Sequence, residues 1–453
     1  MKSVSSVDSG SEWIGQIPNE WNIVPLKSMF TLSKGLSITK EDLVEDGAPV
    51  ISYGQVHSKT NSGVGVDDGL IKYVSDTYLQ SNSECLVYKG GFIFADTSED
   101  LEGCGNCAYI DTDYPIFAGY HTIILRSRSA NNNKYFAYLF KTDAWRTQIR
   151  SVLTEVKVFS ISQKVLKEVW LIVPPENEQK VITEYLDGRC AVIDEAIKRS
   201  KVIIYKLIEY RKSVITHAVT KWGVTTKGTQ KTHIPEFPIV ANGFTLQRIK
   251  FLLSSEQNNL KVGPFGSALP SRYFVSEGIW VYNQRTVLDN NFETNDTCIS
   301  PETYNALKGF EVYPGDIILT TRGTIGKAAI VPPKTPLGIL HPCLIRFRVN
   351  EQIILREYVL CILNDTSIVL DQIKRKSGAT TIEALYSYAL KDVTIPVPPI
   401  REQKQILSFV KSKRAEIDDA ISRQQTIIEK LEEYKKSLIY NAVTGKIDCR
   451  KET

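Results

Sequence analysis

The sequence predicts an α+β protein: two β-rich blocks separated by two long antiparallel coiled-coil helices, forming a pseudo-two-fold tandem repeat. Three observations predict it. Segment 173–220 recurs at 397–444 without a gap, 224 residues on, with roughly half of the paired positions identical. Both copies open with Val-Pro-Pro and close with Ala-Val-Thr. Between them, short apolar runs alternate with Gly, Pro, Asn and Asp, the punctuation of strands and turns.

A chain of 453 residues has room for two or more domains, each with its own core. No apolar run approaches the ~18 residues needed to cross a bilayer, and the first residues lack an apolar signal core. The expectation is a cytoplasmic protein with no membrane association. Eight cysteines are too dilute for a disulfide framework and fit reduced thiols. A formal charge of +4 permits nucleic-acid binding without demanding it.

In chain order, strands are expected at Pro49–Tyr53, Gly91–Phe94, His121–Leu125, Trp280–Tyr282 and Asp316–Leu319. Helical periodicity covers Lys134–Ile149 and Leu355–Ile373. The two blocks share weaker echoes: Tyr88 to Phe94 parallels Tyr313 to Leu319, and Gly47 to Val56 parallels Gly278 to Val287. They should therefore share a fold and differ in their loops.

The repeated segments should turn helical at Val-Pro-Pro, because a residue before proline avoids the α region while proline suits a first helical turn. Apolar residues then fall at alternating spacings of three and four. Ile193, Ile197, Ile204 and Leu207 in the first copy, with Ile417, Ile421, Ile428 and Leu431 in the second, form seams expected to pack on each other. Ser200 and Arg211 interrupt the first seam, and Gln424 and Lys435 interrupt the second at the same two levels. At ~1.5 Å per residue each helix would be a rod of about 60 Å.

This order, a variable block, a Pro-Pro-x-x-Glu-Gln-Lys helix, a second variable block and a second such helix ending in Ala-Val-Thr, resembles the specificity subunit of type I restriction-modification enzymes. The resemblance covers essentially the whole chain. Gly263-Pro-Phe-Gly-Ser267, Gly315-Asp-Ile-Ile-Leu319 and Thr321-Arg-Gly-Thr-Ile-Gly-Lys327 are similar to motifs of that family's target recognition domains. It implies a first target recognition domain at 1–172, a spacer helix at 173–222, a second recognition domain at 223–396 and a second spacer helix at 397–453. Each recognition domain would read half of a bipartite site in double-stranded DNA. The helices would set the unread spacer and dock two methyltransferase subunits, through faces that could include Tyr205, Ile208, Tyr210, Glu429, Glu432 and Tyr434. Restriction and translocase subunits would join them. S-adenosylmethionine, ATP and Mg are then expected on those partners, with no cofactor in this chain.

Candidate DNA contacts are the basic and amide residues of the loops. Asn283, Gln284 and Arg285 follow a strand and combine side chains able to bond base edges, and Tyr53, Gln55, His57 and Lys59 occupy the paired loop of the first block. Arg322, Lys327, Lys374, Arg375 and Lys376 suit phosphates, with Gly323, Gly326 and Gly378 allowing close backbone approach. Lys141, Arg146 and Arg150 would line one helix face. For each, the alternative is a loop residue bonding its own backbone or a solvated charge. Catalytic readings fall away. Glu178 and Glu402 sit in a first helical turn, where a carboxylate complements the helix dipole. Cys104 and Cys107 have metal-like spacing without a second pair. There is no phosphate-binding Gly-x-x-x-x-Gly-Lys-Ser/Thr loop. The chain is thus read as non-catalytic, and the competing readings are a coiled-coil scaffold that never touches DNA and a specificity subunit of a methylation-only system.

Overall fold

In the computed structural model, which describes residues 6–8, 13–129, 133–153, 158–378, 381 and 383–451, helix starts directly after each Pro-Pro pair. The first long helix runs Glu176–Lys221 and the second Ile400–Val443. In both, the glutamine of the repeated Glu-Gln-Lys folds back on the start. Gln179 Nε2 donates to the Pro174 carbonyl at 2.9 Å, and Gln403 Nε2 to that of Pro398 at 2.8 Å. Both glutamines are buried, so these bonds meet a need that water cannot. Gly223 and Gly445, at φ +70° and +71°, follow the two helix ends in the left-handed conformation that glycine adopts without strain.

The chain divides into two compact units, Met1–Ser200 with Thr426–Thr453, and Lys201–Gln425. Each unit therefore holds a β-rich block and a portion of both long helices.

In the first unit, a four-stranded antiparallel sheet has the order Cys107–Tyr109, Phe92–Ala95, Thr122–Ser127, Phe30–Lys34. A second sheet has the order Leu43–Val44, Lys72–Val74, Ala48–Ile51, Ile116–Ala118, Leu86–Val87, in which Ala48–Ile51 and Ile116–Ala118 run parallel. The aromatic helix Lys134–Phe140 packs its buried Phe136 and Phe140 on Phe30 and Phe92. The expected single helix over Lys134–Ile149 is two, because Thr142 accepts from the Trp145 backbone N–H and starts a new helix, Asp143–Arg150.

The second unit repeats this plan. One antiparallel sheet has the order Leu260–Val262, Leu344–Phe347, Ile317–Thr320, Ala328–Ile330. Another has Phe274–Val275, Cys298–Ile299, Ile279–Tyr282, Gly338–Leu340, again with one parallel pair. The expected helix over Leu355–Ile373 is likewise two, Arg356–Asp365 and Ile368–Ser377. Gly47 and Gly278 both sit at φ +147°, and a Cβ on either would lie 2.3 or 2.5 Å from a carbonyl oxygen, of Val74 or of Ile299. The echoed sequence thus encodes one backbone.

The helix repeat also acquires specific partners. Asp194 accepts from Lys435 Nζ at 2.6 Å in the first unit, and Arg211 pairs with Asp418 in the second. The two pairs use the Ile-Asp dipeptides and the two basic interruptions that the repeat relates. Each fixes an antiparallel register within its unit, as does the placement of Glu178 near Arg450 (3.6 Å) and of Glu402 on Lys227. Glu178 also accepts from Trp21 Nε1 at 2.9 Å. These two glutamates therefore tie flanking chain segments to the helix starts, beyond complementing a dipole. Of the seam residues, Ile193, Ile197 and Ile417 are buried, whereas Ile204, Leu207, Ile421, Ile428 and Leu431 are half-buried. The far end of each helix docks alike: Tyr135 Oη donates to the Val443 carbonyl at 2.9 Å, and Tyr358 Oη to that of Val219 at 3.1 Å.

Candidate nucleic-acid interface

In each unit the parallel strand pair ends beside a short helix that begins the loop singled out above, Tyr53–Val56 in the first and Gln284–Leu288 in the second. The local sequence explains these turns. Gln55 Oε1 accepts from the Ser52 backbone N–H at 3.1 Å. Asn283 Oδ1 accepts from the N–H groups of Arg285 and Thr286 at 2.9 and 3.2 Å. Gln55 and Asn283 are thus capping residues, and the alternative of loop residues bonding their own backbone describes both.

In the first unit the Tyr53 ring meets Tyr120 and His121 edge-on at 5.5 and 5.4 Å. His57 has both ring nitrogens engaged, Nε2 with the Thr97 carbonyl at 2.8 Å and Nδ1 with Asn106 Nδ2 at 3.1 Å. Lys59 is exposed. The pocket that Tyr53 and His57 line, about 550 Å³, is also lined by Glu99, Asp100, Glu102 and Arg146. Arg146 is not on an open helix face: its Nε donates to the Phe140 carbonyl at 2.8 Å, and burial lowers its pKa. Arg150 bonds Asp143 at 3.1 Å and the Glu102 carbonyl at 2.8 Å. Lys141 donates to the Ser62 carbonyl at 2.6 Å, and burial, with Lys435 and Arg146 nearby, brings its pKa down to about 8. The pocket lining thus carries three acids, Arg146 and the Tyr53 ring. Cys104 and Cys107 lie in the core, where burial raises the Cys107 thiol to about 12.

In the second unit the pocket beside the short helix mixes charges, with Arg285, Asp289 and Asp296 on its lining. Arg285 is exposed, with only Asp289 at 3.4 Å and Asp296 at 3.9 Å nearby. Arg322 and Lys327 are exposed on the turn between two strands, which is built by its own sequence: Thr320 Oγ1 donates to the Thr324 carbonyl at 2.5 Å and accepts from the Lys327 N–H at 3.0 Å. Gly323 and Gly326 take φ +64° and +84° there. Gln284 is half-buried, and a Cβ on Gly323 would come within 3.1 Å of its amide, so the turn and the short helix touch. The segment His341 to Cys343 joins these parts. His341 N–H bonds the Tyr282 carbonyl and Thr321 N–H bonds that of Cys343, both at 2.9 Å. Burial lowers the His341 pKa, favouring its neutral form.

The basic cluster at 374–376 has other work. Arg375 pairs with Glu236 at 2.7 Å, Lys376 pairs with Asp392, and Lys374 is half-buried, all in the last turn of Ile368–Ser377. Gly378, at φ +68°, caps that helix. Asp316 of Gly315 to Leu319 is also internal: fully buried, it accepts from Tyr313 N–H at 3.0 Å and from Arg348 Nη2 at 2.8 Å. Aromatic residues escaped the sequence reading. The Leu385 N–H bonds the Thr321 carbonyl at 2.8 Å, and the next segment exposes Tyr386 and Tyr388, stacked with centroids 5.6 Å apart. Only their exposure marks them, and exposure leaves no pattern in sequence.

The two units thus repeat one frame and place different residues at its equivalent loops. Comparison with known proteins agrees. The profile described as "Type I restriction modification DNA specificity domain" matches residues 18–201 and 270–433. A Methanocaldococcus jannaschii protein named as the specificity subunit of type I restriction enzyme MjaX is 24% identical over 440 residues, covering 96% of this chain and 95% of that protein. The EcoKI specificity subunit of Escherichia coli is 21% identical over 451 residues, covering 96% and 91%. A solved chain from work on assembly and conformational transition of the type I R-M system has the same fold, with a TM-score of 0.65 at 13% identity over 95% of this chain and 99% of that one. No helix among the described residues is long and apolar enough to cross a membrane. By the profile match over most of its length, this chain belongs to the family of type I restriction-modification DNA specificity subunits.

Proposed function

We propose that each unit of this subunit reads one half of a bipartite site in double-stranded DNA, and that the long helices set the spacer and dock two methyltransferase subunits. The observation that carries this reading is the pairing of a repeated frame with different residues at equivalent loops. Arg285 and Arg322 suit guanine and phosphate acceptors. The carboxylates of Glu99, Asp100 and Glu102 suit the amino donor of cytosine and repel phosphate. Two such faces select two different half-sites. The chain itself is non-catalytic in this reading. S-adenosylmethionine would act on the methyltransferase subunits, and ATP and Mg on restriction subunits where these are present.

Two measurements test the proposal. Electrophoretic mobility shift of the assembled complex should show sequence-selective binding that weakens steeply with salt. Methylome sequencing of a host expressing the system should show a bipartite motif, and exchange of residues 1–172 for those of a relative should change one half of it. Binding without sequence preference, or a change in both halves, defeats the reading.

A further inference from the structure

The two units differ at one place where their frames otherwise coincide. In the first, Gly35 N–H bonds the Thr122 carbonyl at 3.1 Å, and the chain then buries Leu36 and, after the single residue Ser37, Ile38. In the second, Gly263 N–H bonds the Leu344 carbonyl at 2.9 Å, and the chain buries Pro264 and Leu269, with four residues between them. Those four are Phe265-Gly266-Ser267-Ala268, all exposed. Phe265 is 86% exposed, the most open of the large apolar side chains among the described residues. Its carbonyl accepts from the N–H groups of Ala268 and Leu269 at 2.8 and 3.3 Å, which closes a tight turn that Phe265 opens.

The base of this turn is held on the recognition face. A Cβ on Gly263 would lie 2.1 Å from the His341 carbonyl oxygen, so only glycine lets the loop lie against His341 and Pro342. That segment is the one bonded to Tyr282, ahead of Gln284 and Arg285, and to Thr321, ahead of Arg322. We infer that Phe265 is an apolar wedge that the second unit inserts between base pairs of its half-site, a specificity determinant acting through DNA deformability. This deepens the DNA-reading proposal and rests on it. Phosphate contacts by the flanking arginines would hold the duplex, and an aromatic ring on a small-residue turn would enter a step that unstacks easily, such as a pyrimidine–purine step. A protein-docking surface would instead need a contiguous apolar patch, and the exposed residues that follow Phe265 in its turn are glycine, serine and alanine.

The test uses the full chain assembled with its methyltransferase subunits and a duplex carrying the motif found by methylome sequencing, with 2-aminopurine placed in turn across the second unit's half-site. Wild-type complex should raise the fluorescence at one step. Phe265→Ala should abolish that rise and weaken binding roughly tenfold to a hundredfold, the range expected for losing one aromatic stacking contact, with an unchanged salt slope. Phe265→Leu should retain part of both signals. Unchanged affinity and fluorescence in Phe265→Ala, or failure of that variant to assemble with the methyltransferase subunits, overturns the wedge. Wild-type complex that binds the motif no better than random duplex overturns the DNA-reading proposal itself.

Discussion

Replacing Tyr135 by Phe removes the hydroxyl that satisfies the Val443 carbonyl at 2.9 Å, and Tyr358→Phe does the same for Val219 at 3.1 Å. Each acceptor lies in the last turn of a long helix, where carbonyls have no intrahelical partner. Both tyrosines are fully buried, and burial holds each phenol far above its ordinary pKa, so it remains a donor at any relevant pH. Water cannot replace the lost bond, and the cost is that of a buried orphan carbonyl, about 1–3 kcal/mol. For a unit of this size that lowers Tm by about 2–4 °C per kcal/mol. Hydrogen-exchange mass spectrometry on the full chain resolves the effect by region. Tyr135→Phe should reduce protection roughly five- to a hundredfold in peptides of the first unit, including 438–444, and spare 355–375. Tyr358→Phe should do the reverse. Unchanged protection around the substituted tyrosine, or equal loss in both regions from either substitution, would refute the argument that each helix end is locked by its own unit.

Gly278→Ala places a Cβ 2.5 Å from the Ile299 carbonyl oxygen at φ +147°, and should destabilise the second unit by about 2 kcal/mol or more, read by urea denaturation; wild-type stability would contradict the steric account. Reversing one ion pair tests register. Asp194→Lys alone should weaken the first unit, and Asp194→Lys with Lys435→Asp should recover about 0.5 kcal/mol of it, the scale of a partly exposed pair. No recovery in the double variant would mean that the pair does not form. Lys141 has a folded pKa of about 8, below that of an unfolded lysine, so the unfolded chain binds more protons between about pH 8 and 10.4 and wild-type stability gains as pH rises through that window. Lys141→Met lacks this gain; thermal melts at pH 7 and 10 should show the wild type improving relative to the variant, and a constant difference would exclude a buried charged lysine.

The duplication made most of the architecture legible. Val-Pro-Pro located both helix starts because proline restricts backbone geometry locally, and the echoes around Gly47 and Gly278 or Gly90 and Gly315 identified one fold twice because a positive φ at these positions favours glycine. The paired breaks at Arg211 and Lys435 were visible too, but not their meaning. Their carboxylate partners, Asp418 and Asp194, lie on the other long helix, at a distance in sequence that no periodicity spans. The candidate contacts divide in the same way. Arg322 and Lys327 reach solvent, as does Arg285 beside Asp289, whereas Asn283 and Gln55 serve their own backbone, His57 serves Thr97 and Asn106, and Arg375 and Lys376 serve Glu236 and Asp392. Residue type states what a side chain is able to bond, and packing decides what it does bond. The sequence by itself therefore determined the repeated frame and the places where it turns, which follow from local backbone preference and periodicity, while the family came from the resemblance of its motifs to known ones. Only the tertiary structure decided which charges are satisfied internally and which aromatics, Phe265, Tyr386 and Tyr388 among them, are left in the open, because both depend on neighbours that the chain brings together from far apart.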